Sequence, residues 1–580
     1  MSIRNRTVPL LTPFSHFGFG IMITSSLVRK TLCTALILVL GIPSVHAQSR
    51  PAPPTSGQLL QQSAPPQNAE PSSDTGLTIE HSDSHPHNDS APFQVDHINV
   101  TGATLLPTND LHALVADGEG KQLTLGQLNE LADRITAAYR KHGYPLSNAY
   151  VPAQTLSGGT VRIAVLEAHY DNVTLNNRSS TSDSPLRATL TPLANGSVIT
   201  ETTLNRSLLL LGDIPGVGVI STLRPGSAPG TSDLIVDTTD TQRYTGIVSV
   251  DDFGNRYTGR TRVSGSFDVN SLLHEGDQLD LSALSSGPDL KYGRLGYRYL
   301  LNGQGTILGA AVSGMDYRLS GDLSDVDGHG SAQVASLYVS QPFIRSTQGN
   351  LYGQIEFDRR HLNDDIDIID QRTERHTDAW TATLAGDTRD DHGITNFSLA
   401  GTYGLLGFDN DFAQFLDALT ARTSGHYVKY SLSVSRLQQL TQNNAIFLGF
   451  QGQWANRNLD TAEQFYLGGA NNVRGYDIGA LAGTQGQMLN LEFRHTFSFS
   501  MPGSLIGVAF ADTGHLDVYK DPFAPGVNDA HMSDVGLGAR WSGPHQWSMS
   551  VDVAHPIGSR PALIGPTQSA RAWVQIQKGF

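Results

Sequence analysis

The sequence predicts a mostly β protein: a 16-stranded antiparallel β-barrel that crosses a membrane, preceded by two small α/β domains. Three observations predict it. From Gln242 to Phe580 almost nothing has helical periodicity, and segment after segment alternates apolar with small polar residues. Before that stretch, residues 93–238 run twice through one order of elements. At the amino end, a basic pair followed by a short apolar run has the layout of an export signal. Composition sets outer bounds. Of 580 residues 16% are charged and 39% are hydrophobic, which fits neither a disordered chain nor a helical membrane protein. The formal charge of −15 argues against nucleic acid as partner, because phosphates select clustered Lys and Arg.

Arg29 and Lys30 precede the apolar run from Leu32 to Ile42, and Val45-His46-Ala47 then places small or medium residues at −3 and −1. A signal peptide over residues 1–47, cut between Ala47 and Gln48, is expected; the run is too short to span a bilayer. Met22 is an alternative start to Met1. Cys33 is the one cysteine and falls inside this leader, so no disulfide framework is expected. Residues 48–92 are rich in Pro, Ser, Gln and Asp and read as linker, with Ser56 to Gln62 as an exception that could begin a helix. His81, His85 and His87 have no further His or Cys to complete a metal site, and solvated linker histidines are the expected reading.

In the first unit Val95, Ile98 and Val100 suggest a strand, with Gly102 turning the chain. Thr108 is expected to cap a short helix. Thr124 and Gln127 have the spacing of a capping box, and Leu128, Leu131, Ile135 and Tyr139 recur on one helical face up to Gly143. Residues 148–153 and 160–166 read as strands. In the second unit Val173 and Leu175 open a strand, Leu204, Leu208 and Leu211 share a helical face, and Val217 to Leu223 and Leu234 to Val236 supply two more strands. Each unit should leave a sheet edge that an extended peptide could join. On these grounds alone, binding and spacer roles stand equal. Gly118-Glu119-Gly120-Lys121 lacks the spacing of a P-loop, and neither a G-x-S-x-G elbow nor an H-E-x-x-H run occurs, so nucleotide and hydrolase readings start weak.

In the C-terminal part Val428, Tyr430, Leu432 and Val434 alternate with Lys429, Ser431, Ser433 and Ser435, and Phe397 to Tyr403 and Ile446 to Trp454 behave alike. A soluble sandwich alternates too. The export signal, the aromatics on the apolar face and the aromatic carboxyl terminus favour a barrel. In the last segment Ala572, Val574, Ile576 and Phe580 share a face, and Lys578 near its end could snorkel to headgroups. Asn443-Asn444 reads as a short turn. The acidic stretch from Asn363 to Asp370 reads as part of a long solvated loop, ahead of a calcium site.

Two motifs narrow the function. One is Leu467-Gly468-Gly469-Ala470-Asn471-Asn472-Val473-Arg474-Gly475-Tyr476, where the glycines permit a tight hairpin with Arg474 near its tip. The other is Phe510-Ala511-Asp512-Thr513-Gly514 on a strand some forty residues later. In this order, after two tandem units, the pair resembles the outer-membrane barrels that move or insert polypeptides and carry periplasmic POTRA domains. More narrowly the chain resembles the transporter component of two-partner secretion, the hemolysin and filamentous-hemagglutinin secretion/activation family, over nearly all of residues 56–580. Phe93, Val95, Thr101 to Leu106, Gly143-Tyr144 and Val151 to Gln154 match that family's phrasing. So do Asn205-Arg206, Pro215 to Val217, Leu223 to Gly226, Asp252 to Gly259 and Gly276 to Leu279. The long leader, the polar linker, Ala168 and Lys578 depart from it.

The resemblance implies POTRA domains at 93–169 and 170–241, a barrel at 242–580, and a pore-filling helix starting near 56–62. It implies that Val473, Arg474, Gly475 and Tyr476 fold into the lumen and that Arg474 pairs with Asp512, beside Phe510 and Gly514, on the wall. The implied partner is a large secreted β-helical protein, an adhesin, hemolysin or related toxin, recognised unfolded in the periplasm. Outer-membrane lipid and the barrel-assembly machinery are the other implied partners. No cofactor, metal or enzymatic activity is expected. Competing readings are an insertion factor for other outer-membrane proteins, a passive porin, and an outer-membrane enzyme such as a lipase.

Overall fold

A chain that alternates apolar and polar side chains over 300 residues must place its two faces in different solvents, and in lipid it must also pair every backbone group. The computed structural model describes residues 53–63, 72–80, 90–155, 158–499 and 502–580. The expected cleavage point at Ala47 and Gln48 and the histidines at 81, 85 and 87 lie outside the described residues. Sixteen antiparallel strands, from Tyr244–Asp251 to Arg571–Gly579, close into a barrel. The last strand pairs with the first from Ile247↔Gly579 to Asp251↔Gln575. The outward face carries the exposed apolar residues, among them Leu337, Ile355, Leu399, Tyr430 and Leu537. Phe357, Trp380 and Tyr403 fall in register on three neighbouring strands, with the first two rings 5.0 Å apart, a rung of an aromatic girdle. Ser435, Gln451 and Gln453 are buried on the inner face. On the last strand Trp573 is buried inside and Ile576 faces out. Lys578 Nζ donates to the His545 carbonyl of the adjoining turn at 2.6 Å and lies 6.0 Å from the Trp547 ring.

Two expectations for this region fail. The acidic stretch is not part of a long loop. Strand Gly349–Ile366 runs through it, Asp367–Ile369 makes a single 3₁₀ turn, and Asp370 at φ 51° reverses the chain into strand Gln371–Asp390. The acids alternate between faces and meet cations across the hairpin, Asp364 with Arg375 at 2.7 Å and Asp365 with Arg372 at 3.7 Å, so they read as strand residues. The region also holds a helix, Asp411–Leu419, whose N-cap Asn410 accepts from the Ala413 amide at 2.8 Å. Nine residues show too few turns for periodicity to register.

Both units ahead of the barrel have the strand, helix, helix, strand, strand order. In the first, Thr124 accepts from the Gln127 amide and the Gln127 side chain accepts from the Thr124 amide, which starts helix Leu125–Lys141. Thr108 does not cap its helix: Pro107 occupies that position without a side-chain bond, and Thr108 is the first helical residue. The strand expected over 148–153 ends at Tyr150, and Phe93–Val95 with Lys121–Leu123 adds a small two-stranded ladder. The second unit has a four-stranded sheet in the order 77–79, 217–225, 231–240, 169–178. Its outer strand, Leu77–Ile79, comes from the stretch read as linker and runs parallel to Val217–Pro225. One edge expected to be open is therefore filled by the chain itself.

The units are braced by charged side chains. Glu167 accepts from the Thr104 amide at 2.7 Å, the Leu105 amide at 2.8 Å and Tyr139 Oη at 2.7 Å. Burial pushes its pKa up, and the bonds from Thr104, Leu105 and Tyr139 push it down by more, so the carboxyl titrates below the ordinary range. Where the second unit meets the barrel, Arg345 has a side chain 0% exposed. It binds Asp213 through Nε and Nη2, both at 2.7 Å, and donates to the Ser72 carbonyl at 2.7 Å and to Asn350 at 3.1 Å. Arg206 donates to the Pro342 and Phe343 carbonyls at 2.9 and 3.2 Å, and Ser271 Oγ to the Pro215 carbonyl at 3.3 Å, so the barrel holds the unit at two places, the end of strand Gly328–Arg345 and the turn after strand Arg262–Asn270.

Two outcomes follow. A carboxyl whose folded pKa is depressed stabilises the fold above its unfolded pKa, and that contribution disappears as pH falls through the folded value. Urea titrations of the full chain, followed at 222 nm where the helices of the two small units dominate, should show the first unit weakening below the ordinary carboxylate range, and Glu167→Gln should flatten that dependence. Asp213→Ala strands Arg345 and should loosen the docking by on the order of 3 kcal/mol, read as faster protease cutting near residues 241–243 with the heat-modifiable barrel band unchanged.

Candidate functional site: the inward loop and its seat

Between strands Asn444–Ala455 and Gln485–Phe497 the chain does not stay outside. It returns into the lumen as a hairpin of Phe465–Leu467 against Leu481–Gly483. Gly468 and Gly469, at φ 100° and 126°, make the turn that follows, where a side chain would strain the backbone. Asn472 ties it: its Oδ1 accepts from the Gly468 and Val473 amides at 3.2 and 2.8 Å, and its Nδ2 donates to the Tyr466 carbonyl at 2.9 Å. Val473 and Tyr476 are buried in a cluster with Phe465, Leu467, Met488, Leu516 and Met532.

That packing aims Arg474 at the wall. Its side chain is 4% exposed and that of Asp512 is 0% exposed. Nε lies 2.7 Å from Asp512 Oδ2 and Nη2 2.8 Å from Oδ1, a bidentate fork. Nη1 donates to Glu492 at 2.7 Å, and the guanidinium carbon stands 3.5 Å from the centre of the Phe510 ring. The backbone is held too. The Gly475 amide donates to Asp534 at 2.6 Å, Tyr476 Oη to the Ser533 carbonyl at 3.4 Å, and Trp573 Nε1 to the Arg474 carbonyl at 2.7 Å. A Cβ on Gly475 would stand 2.8 Å from that of Asp534, and one on Gly514 would stand 2.6 Å from Leu467 Cδ2, so both glycines set how closely loop and wall approach.

The structure thus brings Val473, Arg474, Gly475 and Tyr476 together with Phe510, Asp512 and Gly514. Sequence reasoning missed Asn490, which donates to Asp512 at 2.8 Å, and Glu492, Asp534, Asp552 and Trp573. Their signal was available: each falls on the inward phase of an alternating strand, opposite the lipid-facing apolar residues. Arg494 and Arg540 pair with Glu492 and Asp552 at 2.7 and 2.6 Å, leaving the Arg474 fork to Asp512.

The second filler of the lumen is helix Ser56–Ser63. Leu59 and Leu60 pack against Tyr257, Leu284, Tyr292, Met315 and Ala462. Gln58 Nε2 donates to the Gly479 carbonyl of the loop at 3.3 Å, and Arg262 Nη1 to the Gln62 carbonyl at the helix end at 2.9 Å. Among the described residues no group of three His, Cys, Asp or Glu is arranged to hold a metal. What the arrangement can do is mechanical: close a wet pore with two elements held by non-covalent feet.

Comparison with known proteins agrees with this geometry. Residues 93–168 match the family "POTRA domain, ShlB-type", and residues 230–526, more than half of the chain, match "Haemolysin secretion/activation protein ShlB/FhaC/HecB". The heme/hemopexin transporter protein HuxB of Haemophilus influenzae is 28% identical over 481 residues, 82% of this chain and 84% of that protein. The outer membrane transporter CdiB of Dickeya dadantii is 24% identical over 517 residues, 83% of this chain and 84% of that one. Among solved structures, CdiB from Escherichia coli superposes with a TM-score of 0.67 at 21% identity, covering 86% of this chain and 93% of that chain.

Arg474→Lys keeps the charge and loses the fork, while Gly475→Val forces the loop off Asp534. Each should unseat the tip by about 1–3 kcal/mol, read as roughly ten- to hundredfold faster hydrogen exchange over residues 465–483 with exchange in the surrounding strands unchanged.

Proposed function

Starting from membership of the haemolysin secretion/activation family, to which this chain belongs and whose members are outer-membrane transporters of two-partner secretion, we propose that the Arg474 seat gates the export of one large β-helical partner. The observation that carries the reading is a closed barrel whose lumen is filled at rest by a helix and a loop, both held by bonds that can be broken and remade. In this reading residues 93–169 and 170–241 recognise the unfolded partner in the periplasm, residues 242–580 conduct it, and residues 48–92 supply the plug and its tether.

Recognition by strand addition uses main-chain hydrogen bonds and so tolerates varied sequence. Strands His97–Thr101 and Asn148–Tyr150 of the first unit and His169–Arg178 of the second lie at sheet edges. The remaining edge, on Val217–Pro225, is covered by only three pairs from Leu77–Ile79. A partner strand offering a longer ladder there would displace the tether and pull on the plug. The partner must bind the open state better than the closed one. Moving a closed pore from about 1:99 to 99:1 needs roughly 5.5 kcal/mol of differential binding. Folding of the β-helix outside would bias the direction, since a folded segment cannot slide back. The partner is an adhesin, a hemolysin or a related toxin; one relative is named for heme and hemopexin, so a haem-acquisition protein belongs among the candidates.

Replacing Arg474 by Ala leaves buried Asp512 without its fork, a change of about 3–5 kcal/mol. The variant barrel should still insert and migrate as a heat-modifiable band, while export of the partner drops at least tenfold. Undiminished export would show that the pair has no part in transport.

A further inference from the structure

The lumen holds a second buried charge cluster on the wall formed by strands Gly349–Ile366, Gln371–Asp390 and Gly425–Gln439. Arg375 lies at its centre. Its Nη1 donates to Asp364 at 2.7 Å, its Nε stands 2.9 Å from Asp460, and its Nη2 donates to Thr461 Oγ1 at 2.8 Å. Beside it, Arg360 and Lys429 both reach Glu463, at 2.7 and 2.5 Å. Asp460, Thr461 and Glu463 belong to the base of the inward loop, so the loop has a second foot far in sequence from Arg474.

Asp364 also meets the lumen helix. The Ser56 amide donates to Asp364 Oδ1 at 2.6 Å and the Ser56 hydroxyl to Oδ2 at 3.0 Å, while Tyr317 Oη donates to Oδ1 at 2.6 Å. The helix, Ser-Gly-Gln-Leu-Leu-Gln-Gln-Ser, has no charge of its own and only two leucines to bury. Thr55 Oγ1 caps the helix only through a long bond from the Gln58 amide at 3.5 Å, and a carboxylate from the wall adds what an acidic first turn normally does: it satisfies a second free amide and faces the positive end of the helix dipole. Helix and loop base also touch directly. Thr55 Oγ1 donates to Thr461 Oγ1 at 3.1 Å, Gln61 binds the Ala462 carbonyl, and a Cβ on Gly57 would stand 2.8 Å from Ala462.

We propose that Asp364 is a positioning residue that seats the lumen helix and, through Arg375, ties that helix to the base of the inward loop, so that the two fillers leave the pore together. One carboxylate is shared by the helix terminus and the guanidinium that holds the loop. Withdrawing either partner weakens the hold on the other. The inference rests on the transport reading only in calling these elements fillers, and it is tested without the partner.

The test uses the full chain with Cys33→Ser, reconstituted in liposomes, and three single reporters: Ser63→Cys on the helix, Ala482→Cys on the loop hairpin and Ala445→Cys near the start of wall strand Asn444–Ala455, outside the clusters that hold either filler, all buried. The rate of labelling by a membrane-impermeant maleimide reports how often each site opens. Asp364→Ala should raise the Ser63→Cys and Ala482→Cys rates together, by about tenfold, and leave Ala445→Cys unchanged. The isosteric Asp364→Asn keeps an acceptor for the Ser56 amide and should give a smaller rise at both. Unchanged labelling of Ser63→Cys removes Asp364 as the seat. A rise at Ser63→Cys alone breaks the coupling, and an equal rise at Ala445→Cys assigns the effect to general loosening; either result overturns the proposal. Export measured on the same variants tests transport separately, because the accessibility result stands whether or not a partner crosses.

Discussion

A backbone amide left unpaired in hydrocarbon costs several kcal/mol, and most of this architecture follows from that constraint. It forces sixteen strands to close, down to the pairing of Arg571–Gly579 with Tyr244–Asp251. Closure creates a lumen, and a lumen of this size in an outer membrane is a leak unless something fills it. The barrel's own wall cannot do so, since side chains on a sheet reach only a few ångströms inward. The chain therefore spends two further segments, Ser56–Ser63 and residues 456–484, on filling.

A filler that must later move cannot be held as a hydrophobic core is held. The helix buries two leucines and the loop one modest cluster; the rest of the hold is hydrogen bonds and ion pairs. Buried ion pairs contribute little net stability compared with apolar packing, yet they are geometrically demanding and costly to break by halves. Arg474 with Asp512, and Arg375 with Asp364 and Asp460, fit that role. Each places a planar fork where one arrangement satisfies every group and a displaced one does not. Such seats define a closed state sharply without making it irreversible.

The periplasmic side combines firm and weak attachments. Arg345 with Asp213 fixes the second unit to the barrel turns. The strand Leu77–Ile79, joined by three pairs to the same unit, lies in sequence between the lumen helix and the first unit. A single segment thus borders both the sheet of the second unit and the lumen helix.

Much of the fold was legible in the sequence because it is periodic. Alternation with period two marked the barrel, the capping box at Thr124 and Gln127 marked a helix start, and the V-R-G-Y and F-x-D-x-G motifs marked where loop and wall meet. What stayed hidden was what depends on contacts between distant residues. The acids from Asn363 to Asp370 read as loop because composition cannot show that Arg375 and Arg372 wait across a hairpin. Leu77–Ile79 read as linker because three residues make a strand only when a partner edge is present. Asp364 gave no sign of binding Ser56, 308 residues away, since a carboxylate's role is decided by which positive groups the fold brings to it. The amino-acid order by itself determined the elements and the two motifs; the tertiary structure alone decided which charges share a seat, because electrostatic partnership depends on distance in space and not along the chain.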